Sequence, residues 1–212
     1  MNTIKILVKG WVKVLPFYLF ILLPLFTSCS EADDTEEEYA NWQIKNETYF
    51  EEQYQAHLAA SSATCFVLRD FSKGDTVSLS NLPHTDCILV DVLPSDFTAE
   101  GDKTVSPLYT DVVQMHYRGY LLPSLSYASG YEFDANYSGT FMEDIAEPVN
   151  LSVNGVISGF STALQHMHRG DHWRVTIPYQ LGYGISEFNS IPGFSTLIFD
   201  IRLIDFKEDD NA

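Results

Sequence analysis

Apolar and polar residues alternate along several segments in the second half of the chain, which is the pattern of strands with one buried face. The clearest segment runs from Asp111 to Gly119, and the runs 88–93 and 195–206 are further strand candidates. The alternating apolar residues are Val113, Met115 and Tyr117 in the first segment, Val149, Leu151 and Val153 in a second, and Trp173, Val175 and Ile177 in a third.

One short helix is predicted among these strands. Ser158 is a residue type that caps helices, and Gly170 is typical of a residue that follows a helix end. Between them, one apolar helical face is formed by Phe160, Ala163, Leu164 and Met167. Strands dominate the segment 86–206, and the pattern therefore predicts an α+β fold: an antiparallel twisted β-sheet wrapped on one short α-helix.

An amphipathic helix is predicted before this domain, over about residues 40 to 60. Its apolar stripe consists of Trp42, Tyr49, Phe50, Tyr54 and Leu58, with charged residues between them. We expect this stripe to dock on the neighbouring domain. Residues 61–85 carry shorter patterns that favour a small hairpin or linker, so that 40–85 would precede the main domain and 207–212 would form a tail.

The first 28 residues have the organisation of a secretory signal. Lys5, Lys9 and Lys13 precede a mostly apolar run from Val14 to Phe26. This run is shorter than the about 20 residues that a membrane-spanning helix needs. We therefore expect residues 1–28 to be a targeting segment.

The residues around Cys29 make this signal more specific. Phe26-Thr-Ser-Cys29 resembles the lipobox of bacterial lipoproteins, which implies that Cys29 is lipidated and anchors the chain to a membrane. Ser30 resembles the pattern of lipoproteins sent to the outer membrane, on its periplasmic or surface-exposed face. The acidic segment that follows favours an extended tether over 29–39 and resembles export signals of Bacteroidetes-type lipoproteins. A plain secretory signal with an incidental cysteine is the alternative.

Charge limits the partners that the chain can bind. The sequence has 12 Lys and Arg residues against 29 Asp and Glu residues, a net charge of −17. A chain this acidic is repelled by phosphate backbones, and we exclude nucleic acid as a partner.

The two remaining cysteines leave two alternatives open. Cys65 and Cys87 form a disulfide if they lie close together in an oxidising compartment. Otherwise they are two isolated, buried thiols.

Several ordered motifs between residues 86 and 206 resemble the FKBP-type peptidyl-prolyl isomerases. They are His116-Tyr117-Arg-Gly119, Phe133-Asp134, Pro148-Val149, Val156-Ile157, Gly159-Phe160, Tyr183-Gly184, Ile191-Pro192 and Phe199-Asp200. The resemblance implies catalysis of cis-trans isomerisation at Xaa-Pro bonds of polypeptide clients, in assistance to the folding of exported proteins. It implies no metal and no cofactor, because the reaction only twists an amide.

The resemblance also implies roles for individual residues. An apolar cup for the proline ring would be formed by Tyr117, Phe133, Val149, Val156, Ile157, Phe160, Ile191 and Phe199. The Tyr183 hydroxyl and the Ile157 main-chain amide would contact substrate carbonyls, and Asp134 would supply a polar wall.

Three features depart from the family pattern. Val149 replaces an aromatic residue of the cup wall, and Phe160 replaces a frequent tryptophan of its floor. The loop between Gly119 and Phe133 is longer than usual. A non-catalytic chaperone or interaction module at the membrane is therefore the alternative to an enzyme.

Overall fold

A computed structural model describes residues 38–74 and 78–208. The predicted signal segment, Cys29 and most of the acidic tether lie outside these residues. The described elements are helix α1 (Trp42–Ala60), strands β1 (Cys65–Arg69), β2 (Cys87–Leu93), β3 (Asp111–Tyr120), β4 (Glu132–Ala135) and β5 (Val149–Ser152), helix α2 (Ser158–Leu164), and strands β6 (His172–Ile177) and β7 (Leu197–Glu208).

The seven described strands form one antiparallel sheet in the order β1-β2-β6-β7-β3-β4, and β5 pairs with the other end of the β3 edge. The longest pairing joins β3 to β7, from Asp111 opposite Glu208 to Tyr120 opposite Ile198. The antiparallel α+β prediction is confirmed. Strand β7 also includes the first two residues of the predicted 207–212 tail.

Helix α2 lies on one face of the sheet, and its predicted apolar face is confirmed. Phe160, Ala163, Leu164 and Met167 are all buried. The prediction for Ser158 is wrong, because Ile157 is the N-cap residue and Ser158 is the first helical residue. The Ser158 hydroxyl instead donates a hydrogen bond to the buried carboxylate of Asp70.

Helix α1 covers part of the opposite face of the sheet. Strand β2 shows this directly: Ile88 and Val90 belong to the core on the α2 side, whereas Cys87 and Leu89 cluster with Phe50 of α1. A strand covered on both faces reads as a continuous apolar run, which is why residues 87–90 show no alternation.

The docking face of α1 is confirmed in its role, but its composition differs from the prediction. Leu58 is 41% exposed, and the buried residues are Trp42, Asn46, Phe50, Tyr54 and His57. The Trp42 indole donates to the Ser195 hydroxyl at 2.8 Å. The Thr196 amide donates to the Asn46 side chain at 2.7 Å. No described helix combines the length and apolar character needed to cross a bilayer.

The small hairpin predicted for residues 61–85 is not formed by the described part of that segment. Strand β1 pairs with β2 instead, and short 3₁₀ turns follow at 71–73, 79–81 and 84–86. The sheet therefore begins at Cys65, before the boundary predicted at residue 86.

The same pairing rules out the disulfide in this fold. Cys65 lies opposite Asp91, whereas Cys87 lies opposite Arg69 at the other end of the pair. Four residues of strand separate the two positions by about 13 Å. A disulfide needs Cα atoms within about 7 Å of each other. Both thiols are free, as the second alternative has it, but only Cys87 is buried, whereas Cys65 is half-buried.

Candidate functional site

Four aromatic rings from different elements form one connected cluster at the end of α2. The Phe160 ring meets the Phe199 ring edge to face, with centroids 4.9 Å apart, and the Tyr117 ring at 6.1 Å. The Phe133 ring meets Phe199 in the same way at 5.4 Å. Phe160 and Phe199 are buried, and Tyr117 and Phe133 are half-buried. The cluster therefore has a closed floor and walls that reach solvent.

Gly119 allows these rings to approach strand β3. It lies opposite Phe199 on one side and opposite Asp134 on the other. A Cβ atom at this position would lie 2.6 Å from the Phe133 ring and 2.7 Å from the Phe199 ring. Glycine inside a strand often marks such a close approach, and this is the sequence signal for its role.

Tyr117 and Asp134 form the polar part of the wall. The Tyr117 hydroxyl donates a hydrogen bond to Asp134 Oδ2 at 2.8 Å. Burial raises the pKa of Tyr117, and the hydrogen bond to Asp134 and its charge raise it further. The phenol therefore keeps its proton at neutral pH and fixes the orientation of the exposed carboxylate.

Two hydrogen-bond donors at this site have no partner within the described residues. No described residue accepts a hydrogen bond from the Ile157 main-chain amide or from the Tyr183 hydroxyl. Burial and the charge of Asp134 raise the pKa of Tyr183, so this hydroxyl also stays protonated. Both groups remain available to a bound carbonyl oxygen.

A short β-hairpin with a two-residue turn lies beside Tyr183. Phe188 and Ile191 exchange main-chain hydrogen bonds of 3.0 and 2.9 Å. Asn189 and Ser190 between them have φ angles of 45° and 68°, as in a type I′ turn. The Phe188 ring stacks on Tyr183 with centroids 4.6 Å apart, and Ile191 is buried.

Nine of the ten predicted site residues belong to the main hydrophobic core or pack against it, and the tenth, Asp134, is bonded to Tyr117. The aliphatic members Val149, Val156, Ile157 and Ile191 belong to the hydrophobic cluster that holds the aromatic rings or pack against it. Val149 lies opposite Met115 on β3. Thus the wall position that lacks an aromatic residue is still filled by an apolar side chain.

Two residues of the site, Asn136 and Phe188, were not predicted from the sequence. The Tyr117 amide donates to Asn136 Oδ1 at 2.9 Å, and Asn136 Nδ2 donates to the Glu147 carbonyl at 2.8 Å. Asn136 therefore fixes the backbone of the wall tyrosine. An asparagine after a short strand gives no signal of such a role, whereas the Asn189-Ser190 pair could have indicated the turn that presents Phe188.

Comparison with known proteins agrees with this geometry. Residues 103–204 match the family model described as FKBP-type peptidyl-prolyl cis-trans isomerase. The chain is 35% identical over 111 residues to the macrophage infectivity potentiator of Trypanosoma cruzi, covering 52% of this chain and 50% of that protein. It is 33% identical over 108 residues to the FKBP-type peptidyl-prolyl cis-trans isomerase FkpA of Escherichia coli strain K12, covering 51% and 36%.

A solved structure extends this similarity to the fold. The crystal structure of FkpA from Escherichia coli matches with a TM-score of 0.52 and 25% identity, over 79% of this chain and 62% of that one. The chain spans half or less of the length of the two curated relatives. The matched segment contains every residue of the aromatic cluster, so the part of the chain that carries the cup is similar to the FKBP-type peptidyl-prolyl cis-trans isomerases.

Proposed function

We propose that the protein is a peptidyl-prolyl cis-trans isomerase acting on exported polypeptides. The observation that carries the proposal is an aromatic cup together with two donors, Ile157 N–H and Tyr183 O–H, that have no acceptor among the described residues. The cup has the residue types that hold a proline ring away from water. By resemblance to the FKBP-type isomerases, these two donors would contact the carbonyl groups of the bound peptide.

The chemistry follows from the electronic structure of the amide. The planar Xaa-Pro bond is stabilised by resonance, and rotation costs about 18–20 kcal/mol because the twisted form loses it. The planar form is the more dipolar one, so an apolar cup favours the twisted form relative to water. Donors that hold the flanking carbonyls in the twisted geometry act only in the transition state and therefore raise kcat.

A hydroxyl deletion at Tyr183 tests this mechanism. We expect Tyr183→Phe to lower kcat/KM for a proline peptide by about tenfold, the value of one hydrogen bond in the transition state. Tyr179→Phe is the matched control, because the Tyr179 hydroxyl bonds to Glu47 on α1. Equal rates for Tyr183→Phe and wild type would remove the donor from the mechanism. Peptide binding without any acceleration by wild type would favour a non-catalytic interaction module.

We further propose that the protein is a lipoprotein of the outer membrane, anchored through Cys29. The basic head and apolar run before Cys29 support this proposal, as do Ser30 and the acidic residues after it. Acyl chains contribute about 0.8 kcal/mol per buried methylene and tether a domain without a spanning helix. The isomerase domain would then act on clients that emerge near the membrane.

Mass spectrometry of the mature amino terminus tests the anchor. The expected product begins at Cys29 and carries acyl chains, and Cys29→Ser should yield an unlipidated chain. A wild-type protein that retains an unmodified Cys29 would contradict the anchor and leave the isomerase proposal intact.

A further inference from the structure

A group of three potential metal ligands lies on the α1 side of the sheet, away from the cup. His57 Nε2, Cys65 Sγ and a carboxylate oxygen of Asp91 all lie within 4.8 Å of one another. Cys65 and Asp91 face each other across the β1–β2 pair, and the last turn of α1 places His57 beside them. Three separate elements thus bring a nitrogen, a sulfur and an oxygen ligand together.

The hydrogen bond on the other side of the His57 ring determines its tautomer. His57 Nδ1 lies 2.8 Å from the main-chain carbonyl of Gln53, which can only accept. Nδ1 therefore carries the proton, and Nε2 of the neutral ring has a free lone pair. Metal-bound histidines are oriented by this kind of hydrogen bond from the second ring nitrogen.

The Nε2 lone pair has no complementary partner in the described residues. His57 is only 5% exposed, and its Nε2 makes no hydrogen bond. The nearest charged group is Asp91 Oδ1 at 3.4 Å, which is also an acceptor. Two acceptors that face each other repel unless a proton or a metal ion lies between them, and His57 cannot turn to water because it is buried.

Cys65 completes a donor set suited to a borderline-soft metal. In the metal-free site Cys65 carries a thiol proton, and its Sγ lies within 4.8 Å of a carboxylate oxygen of Asp91. Metal binding replaces this S–H bond by a metal–sulfur bond and releases the proton to solvent. The Asp91 side chain is 42% exposed, which leaves a route for the ion and for a water ligand.

We propose that His57 Nε2, Cys65 Sγ and Asp91 bind one divalent transition-metal ion of the zinc class, with water as the fourth ligand. Ligands of tetrahedral zinc lie at 2.0–2.3 Å from the metal and hence about 3.3–3.8 Å apart. The present spread of up to 4.8 Å closes to that range by side-chain rotation of about 1 Å. The bound ion would join α1 to the β1–β2 edge of the sheet.

Cobalt(II) substitution in the reduced full-length chain tests the proposal. We expect binding of one ion per chain, with a thiolate-to-cobalt charge-transfer band in the near ultraviolet and displacement of the cobalt by zinc. Cys65→Ser should abolish the band and weaken zinc binding by more than about 100-fold, since loss of a ligand exceeds the effect of an outer-shell change. Zinc should also raise the melting temperature of the wild type.

The two other cysteines provide matched controls. Cys87→Ser removes the thiol at the far end of the same strand pair, and Cys29→Ser removes the predicted lipidation site. Both variants should keep the charge-transfer band and the zinc affinity. The proposal is overturned if the wild type takes up no cobalt, which would leave a proton between His57 and Asp91. It is also overturned if Cys65→Ser keeps the band or if either control loses it.

Discussion

The two faces of the sheet are covered by helices of very different character. On one face, α2 packs mainly through apolar side chains, and its Ser158 and Thr162 hydroxyls bond to Asp70. The rings of Phe160 and Phe199 extend the apolar packing to the half-buried cup wall. On the other face, α1 combines the apolar residues Phe50 and Tyr54 with a buried Asn46. The first face ends in an open site, whereas the second is closed by specific polar contacts.

This difference explains how the cup can remain open to solvent while the fold stays stable. The cup residues come from strands and loops that are distant in sequence, and the register of β3 with β4 and β7 brings them together. The α1 contacts fix segment 192–196, which directly follows the cup residue Ile191. We infer that α1 stabilises the segment next to the cup and takes no direct part in catalysis.

Removal of one buried ring from each face should separate these two roles. Phe160→Ala and Phe50→Ala both delete a ring that is at most 3% exposed, and each should lower the free energy of unfolding by about 3–5 kcal/mol. In the folded fraction, only Phe160→Ala should abolish isomerisation. Urea denaturation and peptide exchange kinetics measure the two effects. Equal loss of activity in Phe50→Ala would show that the faces are not independent.

Asp70 links the two regions, because it follows β1 and accepts hydrogen bonds from Ser158 and Thr162 of α2. Burial alone would raise the pKa of Asp70, but hydrogen bonds from Ser158, Ser72 and Thr162 outweigh it and lower the pKa below 3.8. Its stabilisation is therefore present above about pH 3.8 and is lost as the pH falls through the lowered value.

Asp70→Asn tests this link. It should cost about 2–3 kcal/mol of unfolding free energy at pH 7, because buried donors lose a charged acceptor. The difference from wild type should shrink in acid, as measured by urea denaturation between pH 2 and pH 7. A difference that stays constant over this range would contradict the assigned pKa direction.

Substitution of Asn46 should lower the unfolding free energy less than the ring deletions or Asp70→Asn. Asn46→Ala leaves the buried Thr196 amide without an acceptor and should cost about 1–2 kcal/mol, since the lost bond outweighs the gain in helix propensity. Thr48→Ala, at an exposed position of the same helix, should change stability by less than about 0.5 kcal/mol. If Thr48→Ala lowered the unfolding free energy by as much as Asn46→Ala, the hydrogen bond between Asn46 and Thr196 would not be the cause of the loss.

The open face was largely predictable from the sequence. Period-two alternation identified β3 and β6, and the spacing of Phe160, Ala163, Leu164 and Met167 identified the buried side of α2. The family motifs then assigned the cup, because the same residue types recur in the same order. Asn136 was not predicted, since its role depends on which main-chain atoms the tertiary structure brings near it.

The closed face was predicted less well, for a physical reason. Polar residues on a helix are read as solvent-facing, so Asn46 and His57 were not expected to be buried. The residues that face them, Thr196 and Asp91, lie far away in sequence. Strand β1 was read as part of a local hairpin because only the pairing register shows that its partner is β2.

The measurement that tests the central claim most directly is NMR exchange spectroscopy on a short proline peptide with substoichiometric wild-type protein. Uncatalysed exchange takes tens of seconds, so acceleration is visible as new cis-trans cross-peaks. The cup predicts such cross-peaks with wild type and with folded Phe50→Ala, and none with Phe160→Ala. An exchange rate with wild type equal to that in buffer would contradict the isomerase proposal.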